Sequence, residues 1–166
     1  MITYMSTMDS PAGPFAVLAD ASEAVLAAGW TADGDALQAL VHRNLRGEIR
    51  GRRDLGPITA AVRAYLDGDL DATAVVPVRQ HTDGAFLTSA WKTLREVAPG
   101  APVTYAEFAI RTGKPSAIRA AAQACARNAA ALFVPCHRVI RSNGTLGGFR
   151  WGLDVKRWLL AHETDE

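Results

Sequence analysis

The chain has 166 residues, 49% of them hydrophobic, which is enough apolar material for the core of one domain or of two small ones. Two cysteines are too few for a disulfide framework, and neither a charged-then-apolar leader nor an 18-residue apolar run is found, so we expect a reduced, soluble, cytoplasmic protein without a membrane span. Residues 1–80 carry seven basic against ten acidic side chains and residues 81–166 eleven against seven, a basic surplus that fits a polyanionic partner or an ordinary solvated surface.

The first half of the chain begins with short apolar runs and continues with a helical pattern. The runs "MITYMST", "PFAVLAD" and "EAVLAAGW" are separated by "DSPAG" and "ASE", which predicts a β-hairpin followed by a third strand. The stretch "PITAAVRAYLDGDL", 57–70, predicts a helix that starts at a proline and has one apolar face. That face consists of Ile58, Ala61, Val62, Tyr65 and Leu66. The segment "DATAVVPVRQHTDG" is expected to connect to the second half, so we place a domain boundary near residue 80.

The second half is predicted to be mostly helical. A first helix in "AFLTSAWKTLREVAPG" carries an apolar stripe, a second runs through "TYAEFAIRTG", and a third, "SAIRAAAQACARN", is expected to begin with Ser116 as its cap. The stripe comprises Phe86, Ala90, Leu94 and Val97, with Trp91 beside it. Helix, short glycine-containing turn and helix form a helix-turn-helix pattern, although any helical hairpin can produce it.

The third of these helices is unusually slim. Six of its residues are alanine, and Arg119 is the only long side chain in its first two turns apart from Ile118. Such a helix can enter a nucleic-acid groove closely, or it can pack tightly against neighbouring helices, and the sequence leaves both interpretations open. Cys125, in the same helix, is most simply a small buried hydrophobic residue.

The stretch "LFVPCHRVIRSNG", 132–144, sets a cysteine directly before a histidine inside an apolar run. His137 could lower the pKa of the Cys136 thiol or take its proton, provided that the chain bends there, and Pro135 supplies a reason for a bend. A zinc site fits poorly, because the cysteines and this histidine lack paired ligand spacing. The other histidines have no partner pattern and are predicted to be surface or capping residues: His42, His81 and His162.

Taken together, these motifs resemble the O6-alkylguanine-DNA alkyltransferases, also called methylated-DNA–protein-cysteine methyltransferases. The resemblance rests on "VPCHRVI", on Asn128 eight residues before the cysteine, on Arg119 nine residues before that asparagine, on "TYAEFA", and on "GTLGGFRWGLDVKRWLLAHE". It extends from about Phe86 to Glu163. It implies an α+β protein with a small ribonuclease-H-like α/β domain over 1–80 and a mostly helical DNA-binding and alkyl-transfer domain, with the helix-turn-helix, over 81–166.

The family resemblance also implies a reaction. The alkyl group of O6-alkylguanine, and of O4-alkylthymine, in double-stranded DNA would move irreversibly to a cysteine of a monomeric protein, once per molecule and without a cofactor or metal. The damaged base would be flipped out of the duplex, since chemistry on a stacked base requires this. Cys136 would be the nucleophile, and His137 would take its proton through a water while Glu163 orients the imidazole.

Other roles follow from the same resemblance. Asn128 would brace the active-site turn, and Tyr105 would lie beside the flipped nucleotide and help to protonate the leaving guanine. The alanine-rich helix, with Ser116 and Ala120, would enter the minor groove, where Arg119 would fill the gap left in the base stack. Arg138 is expected to form a structural ion pair or, alternatively, to contact the substrate.

The expected substrate pocket departs from the family pattern. Its predicted residues are Pro135, Val139, Phe149, Arg150 and Trp151. Family members usually have proline after the motif asparagine where this chain reads "NAA", a tyrosine in place of Phe149, and small residues where Arg150 and Trp151 stand. Trp151 either lines the pocket or packs beneath the loop. If Trp151 lines the pocket, it removes volume, and we then expect a preference for methyl over bulky alkyl groups.

Two other classes of function use similar elements. A non-catalytic protein that recognises alkylated DNA would share the fold, but such relatives replace the cysteine that this chain has at position 136. A cysteine–histidine hydrolase would use the same residue pair, yet it also needs an oxyanion hole and repeated turnover. The sequence contains no motif that indicates either of them.

Overall fold

The computed structural model describes residues 1–82 and 84–164, and it has a mixed α+β architecture. The chain forms two compact units. One comprises Met1–His81 with Ala129–Phe133, and the other comprises Thr82–Asn128 with Val134–Glu166. Among the described residues, no helix has both the length and the apolar character of a membrane span.

A four-stranded sheet forms the core of the first unit. Its strands are β1 (Ile2–Met8), β2 (Phe15–Ala19), β3 (Val25–Gly29) and β4 (Glu48–Gly51), in the order β3-β2-β1-β4. The antiparallel pairing of β1 with β2 and of β2 with β3 confirms the predicted hairpin and third strand. Every residue of β2 and β3 is buried, as their apolar runs require. Strand β4 pairs parallel to β1 and was not predicted, because "EIRG" is largely exposed and lacks an apolar run.

Two helices and one returning segment complete the first unit. Helix α1 spans Gly34–Gln38, and helix α2 spans Pro57–Leu66, with Pro57 in its first turn as predicted. Four of the five residues on the predicted face of α2 are buried, whereas Leu66 is half-buried. Short 3-10 turns lie at Arg43–Leu45 and Ala72–Val75. Residues 129–133 bond to β3, through amide-to-carbonyl distances of 2.9 Å from Ala28 to Ala129 and 3.2 Å from Ala131 to Ala28.

The second unit is mostly helical. Its helices are α3 (Ala85–Leu94), α4 (Tyr105–Arg111), α5 (Ile118–Ala126) and α6 (Leu153–Thr164). Strands β5 (Val103–Thr104) and β6 (Val139–Ile140) pair in parallel. Helix α4 begins with a capping box in which the side chains of Thr104 and Glu107 each accept the other's backbone amide. Helices α3 and α5 meet where the Trp91 indole donates to the Ala124 carbonyl at 3.0 Å.

The predicted cap of α5 is wrong. The cap residue is Ala117, which makes no side-chain hydrogen bond to the helix, and α5 begins at Ile118. The reason is the turn before the helix, which the Ala117 amide closes by donating to the Lys114 carbonyl at 2.9 Å. Ser116 therefore lies inside the turn, where its hydroxyl does not cap the first helical amides.

Candidate active site

The chain bends sharply at Cys136. The Cys136 amide donates to the Val134 carbonyl at 2.8 Å around Pro135, whose φ of −82° and ψ of 65° are those of an inverse γ-turn. A 3-10 turn over Cys136–Arg138 follows at once. The bend that Pro135 predicted is thus confirmed, and it removes the alternation that would point the cysteine and histidine to opposite sides of an extended strand.

Asn128 holds this turn and also contacts the sulfur. Its amide nitrogen donates to the Val134 carbonyl at 2.8 Å and to Cys136 Sγ at 3.3 Å. Burial raises the pKa of the Cys136 thiol, while the bond from Asn128 and the positive charges of Lys156 and Arg150 lower it. Cys136 is only 9% exposed, so its thiol carries a proton until a base removes it, and the Asn128 amide is already placed to donate to the thiolate.

Three charged or polar side chains form a buried cluster, and two of them directly follow the cysteine in sequence. His137 Nε2 lies 2.6 Å from Glu163 Oε2, and Arg138 donates to the same carboxylate through Nε at 2.9 Å and Nη2 at 3.1 Å. Arg138 Nη1 also donates to the Val97 carbonyl at 2.7 Å. The structural ion pair expected of Arg138 is confirmed, and it fixes the carboxylate that in turn fixes the imidazole.

The protonation states of this cluster follow from burial and from the arginine. Burial works to raise the pKa of Glu163, but hydrogen bonds and positive charge from His137 and Arg138 outweigh it and bring the pKa to about 2. Burial lowers the pKa of His137, which favours the neutral imidazole. Since an ionised carboxylate only accepts, Nε2 carries the hydrogen and Nδ1 presents a lone pair. Within the described part of the chain, Nδ1 is buried and has no hydrogen-bond partner, so it is available as a base.

Tyr105 is the first residue of α4 and follows β5 directly. Burial raises the pKa of its hydroxyl to about 12, and negative charge on Cys125 and Cys136 adds to the effect. The phenol is therefore a proton donor at neutral pH. Its ring packs against Gly147, where an added Cβ would stand 3.0 Å from the hydroxyl oxygen and 3.1 Å from Cε2.

Comparisons with known proteins identify the family. A sequence profile of the 6-O-methylguanine DNA methyltransferase DNA-binding domain matches residues 85–165. The methylated-DNA–protein-cysteine methyltransferase of Shigella flexneri is 34% identical over 158 residues, which are 93% of this chain and 91% of that protein. The chain belongs to the methylated-DNA–protein-cysteine methyltransferase family. The predicted resemblance is thus confirmed.

Two further relatives show how the similarity is distributed. The bifunctional transcriptional activator/DNA repair enzyme Ada of Escherichia coli is 47% identical over 81 residues, which are 49% of this methyltransferase-family chain and 23% of Ada. The crystal structure of Mycobacterium tuberculosis OGT in complex with DNA superposes with a TM-score of 0.79 at 28% identity, covering 97% of this chain and 92% of that one. Nearly the whole chain is therefore similar in fold to a relative that was crystallised with DNA.

Three of the residues predicted to bind DNA lie on and before α5 of this methyltransferase-family chain, and the fourth, Tyr105, begins α4. Arg119 and Ser116 are exposed, and Ala120 is half-buried. Ala121 and Ala124 are fully buried on the opposite side of the helix. The close packing of the slim helix is thus confirmed on one side, while the exposed Arg119 leaves the groove interpretation a prediction.

The predicted pocket residues differ in exposure. Pro135 and Val139 are buried, Phe149 and Trp151 are half-buried, and Arg150 is exposed. The Arg150 guanidinium donates from Nη2 to the Ala126 carbonyl at 2.6 Å, at the last residue of α5. A cation at this position complements the partial negative charge of a helix C-terminus. In residues 1–82 and 84–164, no group of three or more His, Cys, Asp or Glu side chains is placed to hold a metal ion.

Sequence reasoning missed one residue of this site. Lys156 is fully buried, on the face of α6 that also buries Leu159 and Glu163. These residues are spaced by three and then four positions, as on the buried face of a helix. Ionisable side chains at such positions, here Lys156 and Glu163, indicate a functional or paired group, and this signal is present in the sequence. Arg138 lacked any comparable local signal for its carboxylate partner, which lies 25 residues further along the chain.

Proposed function

We propose that this methyltransferase repairs DNA by taking the alkyl group of O6-alkylguanine onto Cys136. The observation that carries the proposal is the buried thiol contacted by Asn128 at 3.3 Å and followed by a His137–Glu163 pair at 2.6 Å, in a chain of this family. A nucleophile, a neutral imidazole and a carboxylate that orients it are the elements of an activated cysteine.

The proton and electron balance of the transfer uses these residues together with Tyr105 and solvent. Cys136 releases its proton to His137 Nδ1, directly or through one water, and Glu163 stabilises the imidazolium that forms. The sulfur then attacks the alkyl carbon, so that a C–S bond forms while the bond from carbon to O6 breaks. Guanine leaves with the electron pair and takes a proton from Tyr105. Tyr105 then regains a proton from solvent, and His137 releases to solvent the proton that it took from Cys136. The product thioether has no leaving group for a return reaction, so each molecule acts once.

The partner in this reaction is DNA, and α5 is the element proposed to enter it. We assign α4, the turn after it and α5 as a helix-turn-helix whose second helix lies in the minor groove, where Ser116 and Ala120 approach the backbone. Arg119 would occupy the space of the flipped nucleotide. Residues 1–80 would form a ribonuclease-H-like domain and residues 81–166 the DNA-binding and transfer domain of a protein that acts as a monomer. The exposure of Arg119 supports this assignment.

The alkyl group would be received by a pocket built around the cysteine turn and the segment before α6. Pro135 and Val139 would form its floor, and Phe149, Arg150 and Trp151 its rim. The half-buried rings of Phe149 and Trp151 support a confined pocket, suited to a methyl group on O6 of guanine or on O4 of thymine.

The matched pair Cys136→Ser and Cys125→Ser tests the proposal. We expect Cys136→Ser to bind duplex DNA containing O6-methylguanine and to remove no methyl group, because serine lacks an accessible anion at neutral pH. Cys125→Ser should still accept one methyl group per molecule. Transfer by Cys136→Ser would refute the assignment of the nucleophile, and wild-type binding without transfer would indicate a lesion-recognition protein instead.

A further inference from the structure

Lys156 is a buried cation held by backbone oxygen atoms. Its side chain is fully buried, and Nζ donates to the carbonyls of Val139 at 2.8 Å, Leu146 at 2.5 Å and Gly148 at 3.3 Å. An ammonium group has three donors, so these contacts use all of them. Within residues 1–82 and 84–164, no carboxylate forms an ion pair with Lys156, so the three carbonyl dipoles are the direct contacts that offset the cost of burying its charge.

The three carbonyls come from two segments that meet at the reacting centre. Val139 begins β6, directly after the Cys136–Arg138 turn. Leu146 and Gly148 belong to residues 144–149, which we call the glycine-rich loop. One side chain on α6 therefore ties this loop to the strand that leaves the reactive cysteine.

The same contacts set where the loop meets Tyr105. Leu146 and Gly148 flank Gly147, which has a φ of +75° and at which an added Cβ would stand in a tight contact of 3.0 Å with the Tyr105 hydroxyl oxygen. A loop held at both neighbours of Gly147 presents its backbone to the tyrosine at a fixed distance. Loss of the ammonium group would leave the carbonyls of Leu146 and Gly148 without this donor, at the point where the loop comes closest to Tyr105.

We propose that Lys156 is a positioning residue for alkyl transfer: its ammonium group holds the glycine-rich loop against β6 and thereby keeps Tyr105 and Cys136 in reacting geometry. The inference rests on the proposed function and adds to it a residue for which the family resemblance gave no role. Lys156 is not itself in contact with the alkyl group, and it acts through the loop.

The charge of Lys156 also affects the pKa of the Cys136 thiol, and this effect can be measured separately from loop position. Burial raises the pKa of the Cys136 thiol, whereas the amide of Asn128, Lys156 from α6 and Arg150 from the turn before α6 lower it. Tyr105 of α4 and Cys125 of α5 also interact electrostatically with Cys136. Lys156 itself feels Cys125, Cys136 and Arg141. Removing its charge raises the pKa of the Cys136 thiol, so transfer should slow at neutral pH and recover partly at higher pH.

Lys156→Met removes the charge and the donors while keeping most of the volume, and Lys92→Met makes the same change at an exposed position of α3. In single-turnover transfer from O6-methylguanine duplex DNA, we expect Lys156→Met to be about 10²-fold slower, the cost of a misplaced reacting group. Its pH midpoint for transfer should move upward, and the amides of residues 145–149 should exchange hydrogen faster. Lys92→Met should match the wild type in all three measurements.

The outcomes separate the inference from the proposed function. If wild-type protein accepts no methyl group, the proposed function fails. If the wild type transfers and folded Lys156→Met matches its rate and pH midpoint, only the inference is overturned. Should Lys156→Met not fold, Lys156→Arg decides, because it keeps the cation but cannot converge three donors in the same way. If Lys156→Arg transfers the methyl group more slowly than the wild type at an unchanged pH midpoint, the inference is supported. If Lys156→Arg transfers at the wild-type rate, the inference is overturned.

Discussion

Glu163→Gln should destabilise the protein strongly, because Glu163 neutralises a buried arginine. The carboxylate accepts from Arg138 at 2.9 and 3.1 Å and lies 2.6 Å from His137 Nε2, and all three side chains are at most 7% exposed. Glutamine keeps the shape but leaves the arginine charge without a counterion. Breaking one partner of a buried pair costs about 3–5 kcal/mol of unfolding free energy. For a chain of this size, the loss corresponds to a decrease in Tm of about 6–20 °C.

Urea unfolding at neutral pH, followed by tryptophan fluorescence, measures this change. The matched control is Asp154→Asn, which removes an exposed ion pair to Arg157 at 2.8 Å on the same helix. Exposed pairs of this kind often contribute nothing measurable to stability. The reasoning is refuted if Glu163→Gln costs no more than Asp154→Asn.

The pH dependence of the same variant checks the cause. The pKa of Glu163 lies at about 2 in the folded protein, below its ordinary value of 4.5, so its contribution to stability is complete above about pH 4.5 and is lost as the pH falls towards 2. The difference in unfolding free energy between wild type and Glu163→Gln should therefore shrink over this interval by about 3 kcal/mol. A difference that stays constant from neutral pH to pH 2 contradicts a charge-based origin.

Two further predictions concern the DNA face and the pocket. Arg119→Ala should slow repair of duplex DNA far more than repair of the free alkylated base, and the salt dependence of DNA binding should weaken by about one phosphate equivalent at most, because an arginine in the base stack is not chiefly a phosphate contact. Equal losses on both substrates would make Arg119 merely structural. Trp151→Gly should raise the single-turnover rate for O6-benzylguanine relative to O6-methylguanine DNA by the equivalent of about 1–3 kcal/mol; an unchanged ratio would place the indole outside the pocket.

Local patterns predicted much of the fold and the centre of the site. The apolar runs of β2 and β3 become fully buried strands, because a continuous apolar run is stable only with both faces covered. The proline before Cys136 predicted the bend that the inverse γ-turn provides. These features depend on residues adjacent in sequence, which is why the sequence alone was sufficient.

Contacts between distant segments were not predictable in the same way. Strand β4 forms because β1 offers it a parallel edge, although its own four residues are mostly exposed. An ion pair was expected of Arg138, but its partner Glu163 was not. The carbonyl oxygens around Lys156 belong to residues 8, 10 and 17 positions away from it in the sequence. Each depends on how helices and loops pack, which hydrophobic periodicity does not specify.

The central claim is that Cys136 takes one alkyl group from DNA and keeps it. Purified protein incubated with excess duplex DNA containing O6-methylguanine, then analysed by intact mass and peptide mapping, tests it most directly. We predict a gain of one methyl group per molecule, located on Cys136, with no further loss of O6-methylguanine after one equivalent. Unmodified Cys136 after the incubation, or removal of methyl groups beyond one per protein, would contradict the account.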